Sequence, residues 1–422
     1  MKCIIIAIGT EVVSGDIINT NAAFISDYLK RFGIKTIQHL AILDNEKHIV
    51  RALKDSLLKA ELIITTGGLG PTYDDITKIA IAKALKLPLY KDEESLESIK
   101  SFFRKLGREM TENNERQAYF PKNSIIVENK NGTAPACITK AAKKSFVIML
   151  PGPPSEMIPL MESNTIVEFL NQTKTEEIFE TRLKFFGIGE SSLEEKLKEH
   201  MVCTKSLILA PYAKTGEVEL KITAKAKTIE EAESKANELR KNIYLTVGEY
   251  IYTEGEKSLE EVLIDNLKTR NLKLITAESC TGGLIAEKIT SIPGSSEVFK
   301  GGLVTYSNDL KMSLLDVSRK TLEEFGAVSR GTAIEMAEGA RYRYNADIAI
   351  SVTGIAGPDG GTEEKPIGLV YIGISTAEKT EAVRFNFTGN REKIREITAK
   401  NAIHMALTEI WSFDPPARPA ND

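Results

Sequence analysis

Apolar residues in this chain come in short unbroken runs that alternate with stretches of helical spacing. Residues 3–8, 62–66 and 146–150 are runs of the kind needed by a strand buried on both faces. Residues 19–32 carry Ala22, Ile25 and Leu29 at helical intervals and stop at Gly33, so they predict a helix. Residues 35–43 alternate weakly, and Asp44-Asn45-Glu46 then offers a cap for a helix over 47–59. Pro151-Gly152-Pro153-Pro154 imposes a rigid turn before a helix at Glu156. Residues 92–117 read as a charged amphipathic helical region, with Phe102, Phe103 and Leu106 on one side. Strands alternating with helices through residues 1–170 predict right-handed βαβ units and a mostly parallel sheet covered on both faces.

The pattern changes after the polar stretch 171–177. Strands at 181–186, 207–210 and 217–226, a short helix at 191–200 and a long charged helix at 229–244 predict a small α+β unit. The last third returns to α/β: a helix over 259–270, a strand to Thr276, a turn at Ala277–Gly283 and a helix from Leu284. A strand over 303–306 ends at Tyr306, and Ser307-Asn308-Asp309 caps a helix carrying Lys311. Strands at 346–352 and 367–374 precede a final helix opened by Arg391, and the proline-bearing segment from Asp414 reads as a frayed tail. The expected organisation is α/β throughout: a three-layer domain at 1–170, an α+β module at 171–253, an α/β domain at 254–416 and a tail at 417–422.

At 422 residues two or three domains are expected. The formal net charge of −4 argues against a nucleic-acid-binding surface as the main business. Cys3, Cys137, Cys203 and Cys280 are scattered without a C-x-x-C pair, as free thiols of a reducing cytoplasm would be. No stretch approaches the roughly 18 apolar residues of a membrane span. None of the four histidines lies beside a glycine-rich turn, which disfavours a Ser-His-Asp triad and leaves chemistry to Ser, Lys, Tyr, Asp and backbone groups.

Two sets of turns are candidates for that chemistry. Ser279 falls at a strand-to-helix turn with Thr281, Gly282 and Gly283 on the expected first helical turn, whose free N–H groups favour an anion. Its hydroxyl suits a nucleophile or, equally, a helix cap. Tyr306 and Lys311 are expected at the same strand-end crevice. A cation is disfavoured near a helix N-terminus, so Lys311 is either held partly neutral to take a proton or is a surface lysine paired with Asp309 or Asp316. The loop from Thr353 through Gly354 and Gly357 can present N–H groups to an oxyanion, and Arg391 can clamp a phosphate. In the first domain, Gly9-Thr10-Glu11, Asp44-Asn45 and Gly67–Asp75 all follow strands, where ligands of α/β sheets sit. Gly67, Gly68 and Gly70 suit a phosphate or pyrophosphate, with Asp75 and Asp74 offered to a divalent metal; no Gly-Lys-Ser/Thr follows, so this is not a P-loop.

Thr65-Thr66-Gly67-Gly68-Leu69-Gly70-Pro71-Thr72-Tyr73-Asp74-Asp75-Ile76-Thr77 resembles the central signature of molybdopterin-binding domains. With it, Gly9-Thr10-Glu11, Ser14-Gly15-Asp16, Asn19-Thr20-Asn21, Asn129–Pro135 and Leu150–Met157 resemble the N-terminal half of the CinA (competence/damage-inducible) family. Ala277–Gly283, Val304–Asn308 with Lys311, Gly326–Ser329 and Ser351–Gly361 resemble its C-terminal domain, and the middle resembles its KH-like module without an obvious Gly-x-x-Gly loop. The resemblance implies two activities. One is a metal-dependent ADP-ribose pyrophosphatase giving AMP and ribose 5-phosphate, with Asp44 and Asp75 on a divalent metal and Gly9, Glu11, Gly67, Gly68, Gly70 and Asp74 around the substrate. The other is a cofactor-free nicotinamide-nucleotide amidase. It would convert nicotinamide mononucleotide to nicotinate mononucleotide and ammonia, with Ser279 as nucleophile and Tyr306 and Lys311 handling protons. Glu278, Thr281, Gly282, Gly283, Thr353, Gly354, Gly357 and Arg391 would then surround that substrate. A cytoplasmic homodimer is implied, with the middle module as spacer or dimerisation element. The alternatives are a pterin-phosphate site without hydrolysis and a DNA-uptake factor, against which the acidic balance counts.

Overall fold

The computed structural model describes residues 1–413 apart from 175, 202, 203 and 205. Cys203 and the tail expected from Asp414 lie outside the described residues. The chain divides into two compact units, one of Met1–Phe179 with Lys225–Glu233, the other of Glu180–Ala224 with the remainder from Ser234.

The first unit is built on strands β1 (Lys2–Ile8), β2 (Lys35–Ile42), β3 (Leu62–Thr66), β4 (Leu89–Lys91), β5 (Tyr119–Pro121), β6 (Ile125–Val127), β7 (Ala136–Ala142) and β8 (Ser145–Leu150). They form a six-stranded sheet in the order β2-β1-β3-β8-β7-β6 and a separate β4-β5 pair. The first four strands run parallel, and β7 and β6 close the edge antiparallel. Side chains alternate across a strand, so the apolar runs feed two cores. Ile5, Ile64 and Ile148 pack with Ile25, Leu29 and Met157 on one face; Ile4, Ile63 and Val147 pack with Ile49, Leu53 and Ile81 on the other. Each such side chain contributes about 1.5–3 kcal/mol on burial. Because β1, β2, β3 and β8 are parallel, the loops at Gly9, Asp44, Gly67 and Pro151 leave from one edge of the sheet. The amphipathic region expected at 92–117 is two elements. An α-helix, Glu93–Lys105, ends before Gly107 in the left-handed region (φ +67°), and a 3-10 helix, Glu112–Ala118, follows.

The middle module has β9 (Glu177–Phe186), β10 (Leu207–Lys214), β11 (Glu217–Ala226) and β12 (Ile251–Glu254) in the order β10-β11-β9-β12, with helices Glu190–Lys196 and Ile229–Val247. The last region carries β13 (Leu274–Glu278), β14 (Phe299–Val304), β15 (Ile348–Gly354), β16 (Leu369–Ser375) and β17 (Thr380–Asn386), ordered β14-β13-β15-β16-β17. The first three are parallel and the last two antiparallel. Helices Leu259–Thr269 and Arg391–Phe413 bury Leu263, Leu267, Ile394, Ile403 and Leu407 against one face. On the other, helix Arg330–Arg343 buries Met336 and Ala340 with Ile275, Ala349 and Leu315. Gly339 lets this helix lie close: a Cβ there would meet the Leu315 carbonyl oxygen at 1.8 Å. Leu315 ends helix Asn308–Leu315, which carries Lys311.

Candidate active sites

β13 ends at Glu278, and Ser279 is held in the turn by its amide, which donates to the Val352 carbonyl (3.0 Å). On the neighbouring strand end Thr305 N donates to the Glu278 carbonyl (2.8 Å), then Ser307 caps the next helix by accepting from Leu310 N (3.2 Å). That helix delivers Lys311, whose Nζ lies 3.1 Å from Ser279 Oγ and donates to the Thr305 carbonyl at 2.7 Å. Lys311 is 1% exposed and makes no ion pair among the described residues. Burial without a carboxylate disfavours the ammonium and lowers its pKa from the usual lysine value. The surface pairing with Asp309 or Asp316 is therefore not what the lysine does; Asp316 pairs with Arg343. Cys280, beside the serine, is buried and its thiol is pushed up to about 12, so it is not a thiolate.

Several expected roles differ in the structure. Helix Leu284–Thr290 begins after Gly282 (φ +62°) and Gly283 (φ +95°), so Thr281 and the glycines precede it and are not its first turn. Its N–H groups are not open to an anion either. Fully buried Glu278 turns its carboxylate onto them, accepting from Gly283 N (3.0 Å), Ile285 N (3.1 Å) and Ala286 N (2.8 Å). Glu278 is a helix cap and not a substrate ligand, because its oxygens are already engaged. Thr353, buried, donates its hydroxyl proton to the Ala327 carbonyl (2.6 Å). Gly354 serves close packing, since a Cβ would meet the Leu369 carbonyl at 2.8 Å. Tyr306 lies beyond the strand, which ends at Val304, and is 62% exposed. Its hydroxyl is 3.4 Å from Arg391 Nη2 and has no hydrogen bond to Ser279 or Lys311. Arg391 also donates to the Gly357 carbonyl (2.8 Å), joining the glycine loop to Tyr306. Arg395, not singled out by the sequence, donates to the Thr281 carbonyl at 2.6 Å, and the Thr281 hydroxyl is buried without a partner. Among the described residues the amides of Cys280 and Thr281 donate no hydrogen bond.

In the first unit the structure brings Gly9, Glu11, Asp44, Gly67, Gly68, Gly70, Asp74 and Asp75 to one cleft of about 370 Å³. Gly67 is required there: its φ is +107°, and a Cβ would lie 2.0 Å from the Ile8 carbonyl oxygen. Asp44 accepts from Thr10 N (2.8 Å) and Thr10 Oγ1 (3.2 Å), and Asp75 from Thr72 N (2.8 Å). Thr72 Oγ1 lies within 2.6 Å of Asp74 and 2.5 Å of Asp75, and its bond holds the Asp74 carboxyl below the usual range. Three further groups belong to this neighbourhood. Glu156 lines the cleft, with its pKa raised by burial and Asn129 Nδ2 donating to it (2.5 Å). Gln117 also lines it, with Oε1 buried and unpartnered. Lys78 sits beneath the loop, its Nζ on the Gln117 carbonyl (2.5 Å) and over the Phe120 ring, and burial lowers its pKa to about 8. Among the described residues no group of three or more His, Cys, Asp or Glu could hold a metal alone. Two carboxylates on one phosphate-sized cleft do fit a hard divalent ion that keeps phosphate and water ligands.

Fold and sites together define a class: a molybdopterin-binding-type α/β domain, a small α+β module and an α/β domain with a lysine-paired serine. Family models match in the same order. The probable molybdopterin binding domain covers residues 4–171, the damage-inducible protein CinA KH domain 180–253 and the CinA C-terminal domain 256–410. A competence-damage inducible protein of Acetivibrio thermocellus is 44% identical over 405 residues, 96% of this chain and 98% of that protein. One from Caldanaerobacter subterraneus is 46% identical over 405 residues (96% and 97%), and a CinA-like protein of Dictyoglomus thermophilum is 44% identical over 403 (96% and 98%). The chain belongs to the CinA family. Among solved structures, a competence/damage inducible protein from Agrobacterium tumefaciens is 45% identical, covering 36% of this chain and 93% of that one, with a TM-score of 0.35.

Proposed function

We propose that the protein is a two-site hydrolase of pyridine nucleotides, with an amidase site at Ser279 and a pyrophosphate-cleaving site at the Gly67–Asp75 loop. The observation that carries the first is the 3.1 Å contact between Ser279 Oγ and the buried amine of Lys311. The neutral amine takes the serine proton as Oγ attacks the carboxamide carbon of nicotinamide mononucleotide. The amides of Cys280 and Thr281, following the nucleophile, receive the developing oxyanion. Lys311 returns its proton to the departing nitrogen, the C–N bond breaks, and ammonia leaves an ester on Ser279. Water, giving a proton to the same amine, cleaves the ester to the nicotinate carboxylate. Tyr306 and Arg391, exposed and in contact with each other, suit the nucleotide's phosphate better than proton transfer. Ammonia release by purified Ser279→Ala and wild-type protein tests this; equal rates would remove the assignment.

The second reading rests on one observation: residues from four loops at one strand edge line a single cleft containing Asp44 and Asp75. A divalent ion arriving with the substrate's phosphates would be held by Asp44 and Asp75 and would supply charge neutralisation. The protein's own part is to wrap the pyrophosphate with the Gly67–Gly70 backbone and to fix both carboxylates through Thr10 and Thr72. The test is AMP formation from ADP-ribose with and without a divalent metal; no metal-dependent product would remove it.

A further inference from the structure

Gly282 N donates to the Ser279 carbonyl (3.1 Å), so residues 279–282 form a β-turn with Cys280 and Thr281 at its two central positions. Turns of this kind exist in two senses that differ by a flip of the central peptide, here the one joining Cys280 to Thr281. The flip would put the Cys280 carbonyl oxygen where the Thr281 N–H now points. It requires a positive φ at Thr281, which a β-branched residue resists, and Thr281 is not among the residues with φ above zero. The residue's φ is thus settled by its own side chain. Its ψ is not, because the Thr281 hydroxyl is buried without a hydrogen-bond partner and braces nothing.

That second angle is set by where the Thr281 carbonyl points. Arg395 holds this carbonyl, donating to its one oxygen through both Nε (3.2 Å) and Nη2 (2.6 Å). A planar guanidinium that reaches one acceptor through two N–H groups fixes direction as well as distance. Leu284 N adds a third, longer bond (3.3 Å). Arg395 is half-buried and makes no ion pair among the described residues, so no carboxylate competes for it. A Cβ at Gly282 would lie 3.7 Å from Nη2, which puts the guanidinium against the turn itself. The next residue, Glu396, pairs with Lys288 (2.7 Å) on the helix that follows the turn. Arg391, one turn earlier on the same helix, reaches the Gly357 carbonyl and Tyr306 instead. The two arginines have different partners.

We propose that Arg395 is a positioning residue of the amidase. It touches no reacting atom and acts by holding the Thr281 carbonyl, so that the N–H groups of Cys280 and Thr281 stay aimed at the oxyanion. The proposal rests on the amidase reading of Ser279 and adds what sets the geometry of its anion site. Contacts that count only once the oxygen is charged lower kcat and spare KM when they are lost.

Two measurements on full-length Arg395→Gln and Arg395→Lys test it. One is the steady-state rate of ammonia release from nicotinamide mononucleotide. The other is the rate at which a fluorophosphonate labels Ser279, read by peptide mass. The probe forms a P–O bond to the serine with loss of fluoride and loads charge onto its phosphoryl oxygen, so it needs the anion site but not the nucleotide. Arg395→Gln is expected to lose about 10–10² in kcat with KM within about twofold, and to label about tenfold more slowly or worse. Arg395→Lys, which keeps a charged donor, is expected to regain part of both, and it carries the comparison if Arg395→Gln melts below the assay temperature. A rise in KM that matches the fall in kcat overturns the proposal, as do unchanged rates. Labelling that depends on Arg395 in a protein that releases no ammonia refutes the nucleotide substrate alone. Ammonia release and labelling that are both indifferent to Arg395 refute the positioning role alone, and a wild-type protein that does neither removes both.

Discussion

Lys311 touches two oxygen atoms, Ser279 Oγ and the Thr305 carbonyl, and reaches them from inside the protein. A base must be neutral to act, and its pKa is lowered, so kcat/KM for nicotinamide mononucleotide should fall as pH drops through a midpoint below the ordinary lysine value. Lys311→Arg, which stays protonated, should lose about 10²–10⁴ in kcat, and a wild-type profile flat to high pH would contradict the assignment. Glu278 is the opposite kind of residue. Glu278→Gln replaces one of the two accepting oxygens by an NH2 donor that faces at least one backbone N–H, and should cost about 1–3 kcal/mol of stability, read as a lower urea midpoint. The sequence marked both positions but not their difference. A glutamate beside a nucleophile and a glutamate capping the next helix have the same spacing, and only the direction of the side chain separates them.

At the level of elements, helix Asn308–Leu315 is held against helix Arg330–Arg343 at the glycine contact. Gly339→Ala would push the Leu315 end outward, costing about 1–3 kcal/mol and lowering amidase kcat because the displaced helix carries Lys311. Thermal melts and ammonia release on the same preparation would check this; an unchanged melt would show that the contact is not tight. The last helix is coupled to the middle module by the Phe186 ring stacked on His404 (4.1 Å). Burial lowers the His404 pKa to about 4, partly opposed by Glu217. Between about pH 6.5 and 4 the unfolded chain binds a proton there that the folded one does not, so stability should decline through that window as pH falls. His404→Phe should flatten this part of the urea-midpoint profile. The strands and most helices were legible from apolar periodicity, since burial on one or two faces writes itself into spacing. The break at Gly107 and the two left-handed glycines before Leu284 were not, because they depend on where the chain must turn to pack.

For the whole molecule, the two candidate sites belong to separate compact units, so their losses should be separable. Asp75→Asn should abolish metal-dependent ADP-ribose cleavage and leave ammonia release intact, and Ser279→Ala should do the reverse. Loss of both activities in either variant would contradict two independent sites. The sequence by itself determined the α/β class, the order of the three regions and the turns where chemistry gathers. Runs of apolar residues commit a strand to the interior, and glycine-rich breaks after them mark the strand ends. Its four histidines, none beside a glycine-rich turn, disfavoured a Ser-His-Asp triad. Only the tertiary structure decided the partners. Residues 279 and 311 are separated by a strand and two helical segments, and their 3.1 Å approach follows from two parallel neighbouring strands ending side by side. The same packing engaged Glu278 and Thr353 in hydrogen bonds to the backbone and left Tyr306 exposed beside Arg391, distinctions carried by side-chain direction and burial. Ser279, legible from the start as cap or nucleophile, has the buried Lys311 amine 3.1 Å from its hydroxyl, a contact that only the packing of the two strand ends creates.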